Sequence, residues 1–344
     1  MIEKLKLHAL TVALTVLFCL AALAKRGRST HAWGVAGAGT LRVVDDPRFP
    51  AHELFRPGRV FPVRLRHGTV SFRDDATLDL RGAALKLLDD RGETLLDLVM
   101  NSGLGTFMHA WSVWQFSLGI MRGERGLEEV LTSNPKAQHV FTWSLRRAPS
   151  SYAQVVYHSQ IQFYFRAEDG RTRYVRYRLL PGDRGAESGL PDAEDVATPW
   201  RQKRRPDCAL PEDYLRREYR ERFGRGAVVY HLQLALRDGV PGDRDPSAFD
   251  QLEPWDEATS PWLDAATVTL DRLLDETETE RLRYNIRNQP PSLGLIPARS
   301  IHDPNSVAHL RARVYPWSQR VRFLLYRLTG KAMEREPLAR AQEA

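Results

Sequence analysis

Two alternating runs joined by a short turn constrain this chain more than any other feature. Residues 160–167 (QIQFYFRA) and 172–179 (TRYVRYRL) alternate apolar and polar side chains, as half-buried strands do. Between them, Glu168-Asp169-Gly170-Arg171 carries the Asp-Gly pair that tight hairpins favour, because glycine accepts the left-handed backbone such turns need. A lone hairpin cannot hide its apolar face, so other elements must cover it. Residues 39–44 (GTLRVV), 60–66 (VFPVRLR) and 228–236 (VVYHLQLAL) read as further strands, and 127–132, 212–223 and 275–283 as helices or helical turns. The Pro- and Gly-rich, charge-mixed stretch 181–211 reads as a long surface excursion. Many strands with late helices predict an α+β architecture, an antiparallel barrel carrying insertions.

Composition narrows the function. The 344 residues are 42% hydrophobic and 27% charged, which is ordinary for a globular chain and excludes disorder. The net charge of +7 comes from basic residues interleaved with acidic ones, as in Arg216-Arg217-Glu218-Tyr219-Arg220-Glu221-Arg222. That pattern is a solvated helix face, and no nucleic-acid partner is expected. Cys19 and Cys208 give neither a disulfide framework nor zinc spacing, and suit a reducing compartment.

Residues 7–24 (LHALTVALTVLFCLAALA) hold no acidic or permanently basic side chain and lie between Lys4, Lys6 and Lys25, Arg26, Arg28. The length is at the lower edge of a bilayer span. Three readings compete: a transmembrane or interfacial anchor, a signal peptide ending at Ala22-Leu23-Ala24, or an apolar helix of the folded domain. Basic residues on both flanks leave orientation unreadable. Cleavage after Ala24 would put Arg28 almost at the new terminus, so a retained helix that touches a membrane is expected. The chain is then cytoplasmic or membrane-associated, and secretion ranks behind. Residues 1–27 form this helical segment, 28–330 the main domain and 331–344 a polar tail.

Candidate chemistry lies at both ends. In a helix, Arg311, Tyr315 and Arg322 would share one face. A free tyrosine titrates near ~10, so it serves as an anionic ligand only where a ferric iron and a guanidinium stabilise the phenolate. The same Arg-to-Tyr interval recurs at Arg173 to Tyr177 and Arg322 to Tyr326, so spacing alone leaves open a core tyrosine beside solvated arginines. Near the other end stand His31 in Arg28-Ser29-Thr30-His31-Ala32-Trp33-Gly34, Arg64 in a strand, and Asn101 where the apolar run 95–100 ends. Alone, such a histidine is most often structural and such an asparagine a turn residue.

Together these residues resemble the catalase superfamily. The matching pieces are Arg-x-x-His-Ala-x-Gly at 28–34, Val-Arg at 63–64, Asp-x-Arg-Gly-x-Ala-x-Lys at 79–86, Asp-Leu-Val-x-Asn at 97–101, and Arg-x-x-x-Tyr-Pro at 311–316 followed by Arg322. Five in the correct order span most of the chain. The resemblance implies a catalase-like antiparallel β-barrel core with surrounding helices, binding ferric haem b. It implies Tyr315 as the axial ligand of the haem iron, Arg311 as its guanidinium partner, and His31 and Asn101 as the distal catalytic pair. Arg28, Arg64 and Arg322 match arginines that pair with haem propionates, and His158 matches a proximal-side histidine.

The departures sharpen the expectation. Thr30 stands where hydrogen-peroxide catalases have an apolar branched residue, and a threonine there resembles the catalase-related allene oxide synthases, which rearrange fatty-acid hydroperoxides. Its hydroxyl could restrain His31. Residues 255–261 (WDEATSP) also look like the small catalase-like proteins, whereas Asn305 and Ser306 leave an acidic residue expected ahead of Arg311 unmatched. The expected partner is a lipid or organic hydroperoxide; the alternative is a small hydrogen-peroxide catalase or peroxidase, and a non-enzymatic membrane-anchored haem carrier or an inert barrel is the third reading.

Overall fold

Eight antiparallel strands close on themselves in the computed structural model, which describes residues 2–239 and 246–329. The tail expected over 331–344 lies outside the described residues. The barrel strands are β1 (Gly34–Val43), β2 (Val60–Thr69), β3 (Arg81–Leu88), β4 (Thr94–Ser102), β5 (Tyr157–Ser159), β6 (Thr172–Pro181), β7 (Val228–Asp238) and β8 (Trp262–Leu273). Each pairs with the next in sequence, and β8 returns to β1, with Leu41 opposite Val268. Closure removes the exposed edges that an open sheet would carry.

Strand alternation divides inside from outside. Phe61, Val63, Leu65 and His67 of β2 are buried, as are Leu85 and Leu87 of β3 and Leu96, Leu98 and Met100 of β4. These fill the barrel as side chains do in an eight-stranded barrel. The intervening positions, among them Arg64, Arg66, Gly82 and Asn101, face outward toward the helices. His67 is an exception to an apolar lumen: its Nε2 shares a 2.8 Å hydrogen bond with the Tyr230 hydroxyl, and its ring stacks on Tyr152.

The hairpin is present, with Gly170 at φ 73° in its turn. Its first arm is shorter than the alternation predicts, because Phe163–Arg166 pairs with β6 while Gln160 and Gln162 leave the ladder. Their amides explain the break: Gln160 donates to the Gly103 carbonyl, and Gln162 to the carbonyl of Phe249 and to Asn305 Oδ1. That last bond sets a neutral amide on Asn305, where an acid was expected.

Helices cover one side of the barrel. Ala110–Met121, Gly123–Thr132 and Pro135–Ser144 lie between β4 and β5. The C-terminal helix Ser306–Leu328 packs against the N-terminal helix Ile2–Ala24, and the two run in the same direction, with His8 near Arg313 and Gly27 near Tyr326. Leu14 is fully buried in the main core cluster, so the N-terminal helix is packed into the fold.

Candidate active site

The site forms where the outer face of β2, β3 and β4 meets these two terminal helices. His31 lies in the loop before β1 in a left-handed conformation, φ 53°, uncommon for a residue with a Cβ. Its N–H bonds the Val70 carbonyl at 2.9 Å. The strained backbone sets the imidazole against β3 at Gly82. A methyl group there would sit 2.5 Å from His31 Nδ1 and 3.4 Å from Asn101 Oδ1, so only glycine lets the two side chains converge. Asn101 stands directly across the ladder from Gly82, and its Oδ1 is buried without a partner.

His31 is neutral at physiological pH. Burial lowers its pKa to about 3, helped by the guanidiniums of Arg66, Arg28 and Arg311 and opposed by a hydrogen bond with the Gly68 backbone.

Tyr315 lines the same cavity, with Phe18, Val99 and Val314 beside it. Arg311, one helical turn earlier, donates from Nε to the Tyr315 hydroxyl oxygen at 2.7 Å and from Nη2 to the Val99 carbonyl at 3.4 Å. Helical spacing thus places a fixed cation on the phenol oxygen.

Three arginines gather at one end of the cavity around a single carboxylate. Glu280 lies 3.7 Å from Arg28, 3.4 Å from Arg66 and 3.8 Å from Arg322. Burial pushes its carboxyl up, but Arg28, Arg66 and Arg322, with a hydrogen bond from Tyr326, hold it at about 2. The arginines are incompletely satisfied: Nε of all three, and Nη1 of Arg322, are buried without hydrogen-bond partners. Unused buried donors of this kind suit a ligand that brings carboxylates.

The expected residues do not all meet. Arg28, Thr30, His31, Tyr315 and Arg322 line the cavity, and Asn101 adjoins it through Gly82. Arg64 is absent from the lining, and Arg66, two residues along on the same strand face, is present. His158 lines a second cavity, with Arg176, Arg178, Trp255 and Trp262, where burial and then Arg178 lower its pKa to about 3. Among the described hydrogen bonds, none joins Thr30 to His31. Glu280 and Gly82 were not singled out from sequence, although Gly82 belongs to the 79–86 motif. The rest of that motif holds the barrel: Asp79 accepts from the backbone of Ser71, Phe72 and Leu80, buried Arg81 donates to the carbonyls of Asp75, Thr77 and Arg146, and Lys86 pairs with Asp97 at 2.8 Å.

The chain also has relatives among known proteins. The chain is 40% identical over 302 residues to an allene oxide synthase-lipoxygenase protein of Plexaura homomalla, covering 86% of this chain and 28% of that protein. It is 30% identical over 320 residues to a linolenate 9R-lipoxygenase of Nostoc sp., covering 90% of this chain and 40% of that one. The chain belongs to the catalase-related proteins. Its barrel superimposes on a fungal catalase with a TM-score of 0.70 at 18% identity and on catalase A of Saccharomyces cerevisiae with 0.69 at 17%; each match covers 91% of this chain and, respectively, 64% and 65% of the other. The catalase-like barrel with flanking helices, α+β, is thereby the fold of this catalase-related protein. The chain spans less than two thirds of each of these four proteins, and no family model matches it.

Proposed function

We propose that this chain is a haem enzyme acting on organic hydroperoxides of the fatty-acid class, with Tyr315 as the iron ligand of a ferric haem b. The observation that carries the reading is one cavity lined by His31 and Tyr315 and ending in Arg28, Arg66 and Arg322, with Asn101 adjoining at Gly82 and Arg311 bonded to the Tyr315 hydroxyl. Three guanidiniums and the Glu280 carboxylate leave two positive charges, which matches the two propionates of haem b. Bound there, the haem supplies the iron at which a hydroperoxide O–O bond is cleaved. The chain's own residues do the remainder. Neutral His31 takes the hydroperoxide proton, the Asn101 amide donates to the oxygen that gains charge, and Arg311 stabilises the Tyr315 oxygen as an anion.

A lipid substrate is favoured by Thr30 beside His31 and by the allene oxide synthase named in the Plexaura homomalla relative. The alternative, a small hydrogen-peroxide catalase, is favoured by the complete His31, Asn101 and Tyr315 set on a catalase barrel. We propose residues 28–330 as the haem-binding domain, with Phe18 of the N-terminal helix completing the cavity wall, and include a membrane association through residues 7–24.

An absorption spectrum with added haem, followed by parallel assays, tests the reading. A Soret band and rapid loss of a conjugated-diene fatty-acid hydroperoxide without oxygen release are expected. Vigorous oxygen evolution from hydrogen peroxide selects the alternative, and no Soret band sinks both. Thr30→Val is expected to raise oxygen release from hydrogen peroxide; an unchanged rate removes the argument from Thr30.

A further inference from the structure

The exposed large apolar side chains are concentrated. The N-terminal helix exposes Ile2, Leu5, Val12, Val16, Leu20 and Leu23; the C-terminal helix exposes Trp317, Leu324 and Leu328; and Ala110–Met121, which packs on both, exposes Leu118, Ile120 and Met121. On the N-terminal helix the spacing 5, 12, 16, 20, 23 keeps one stripe, opposite the buried Thr11, Leu14, Thr15 and Ala22. An apolar face of this size marks an interaction surface rather than scattered exposure.

On the two terminal helices the exposed charges outside the Glu3–Lys6 pair are basic. Lys4, Lys25 and Arg26 are exposed at the two ends of the N-terminal helix, whose one acid, Glu3, is paired with Lys6 at 2.7 Å. The C-terminal helix has no Asp or Glu, and its exposed Arg320 and Arg327 flank Trp317, Leu324 and Leu328. We propose that this surface docks in plane on an anionic lipid bilayer, the N-terminal helix lying along the interface rather than crossing it. By length and a mean hydropathy of 2.3 the helix qualifies as a span. Crossing would strip Leu14 from the core and Phe18 from the cavity wall, whereas lying flat leaves both in place.

The consequence for catalysis rests on the lipid-hydroperoxide reading above. Phe18 faces the cavity from the inner side of the helix whose outer side carries Val16 and Leu20. One helix thickness, about 10 Å, would therefore separate a docked bilayer from the site.

Flotation of the purified full chain with vesicles of phosphatidylcholine, alone or mixed with phosphatidylglycerol, tests the docking without requiring haem or turnover. Binding to the anionic vesicles, weakened by salt and released by alkaline carbonate, is expected. Val16→Glu with Leu20→Glu should reduce it by roughly a hundredfold at an unchanged melting temperature. Lys25→Glu with Arg26→Glu, both exposed, serves as the second variant and should abolish the preference for anionic vesicles. Absence of flotation, retention in the membrane after carbonate, self-association in place of flotation, or full binding by the folded variants overturns the proposal. Turnover of a detergent-dispersed hydroperoxide, measured separately, shows whether the enzymatic reading stands independently.

Discussion

Gly82→Ala probes how the cavity is built. The new methyl would lie 2.5 Å from His31 Nδ1 and 3.4 Å from Asn101 Oδ1. Ordinary contacts begin near about 3.5 Å, so the imidazole must retreat by about 1 Å while Asn101 adjusts only slightly. The strand itself does not object, since alanine in place of a strand glycine stabilises by roughly 0.5–1 kcal/mol. Misplacing a catalytic group by about 1 Å costs on the order of a hundredfold in rate, about 2.7 kcal/mol in activation free energy. The expected outcome is a folded, haem-binding protein whose kcat/KM for a fatty-acid hydroperoxide falls about a hundredfold, followed as loss of conjugated-diene absorbance. Wild-type kcat/KM at an unchanged Soret band would refute the placement of His31 against β3.

Tyr315→Phe removes the proposed anionic ligand, so the Soret band should vanish or shift with loss of turnover; an unchanged spectrum with retained activity refutes the ligand assignment. Because the His31 pKa is held at about 3, kcat/KM should show no inflection near about pH 6.5, the ordinary value for histidine; an inflection there would mean the imidazole is solvated. The Glu280 carboxyl is held at about 2 in the fold, against about 4.3 when unfolded. Its stabilisation is therefore complete above about pH 5 and lost as pH falls through 2. Glu280→Gln should lower the unfolding free energy of the haem-free chain at neutral pH by up to about 3 kcal/mol, with the gap closing in acid. A pH-independent gap in urea unfolding would argue against the three-arginine contact.

Strand alternation made the barrel legible, because a period of two survives wherever one face is buried. It missed Ala110–Met121, whose sequence AWSVWQFSLGIM has no charged face and hence no clear period. It also overextended the first hairpin arm, since Gln160 and Gln162 read as outward polar positions yet bond inward. In the site, Arg311 and Tyr315 were readable because helical spacing alone puts them in contact. Arg66 in place of Arg64 was not, because both lie on one strand face and only the approach of Glu280, far away in sequence, selects between them. His158 shows the same limit: its register opposite Asn101 is correct for a neighbour, but its side chain belongs to another cavity.

The parallel packing of the two terminal helices bears on how the protein is made. His31 emerges early in synthesis and Tyr315 only after every barrel strand, so the two walls of the cavity cannot meet until nearly the whole described chain has been translated. In the haem reading, capture of the cofactor would wait until the helix carrying Tyr315 has emerged. A ribosome stalled before the C-terminal helix would hold the barrel wall of the cavity, with His31 and Arg66, without the opposing wall that carries Tyr315 and Arg322.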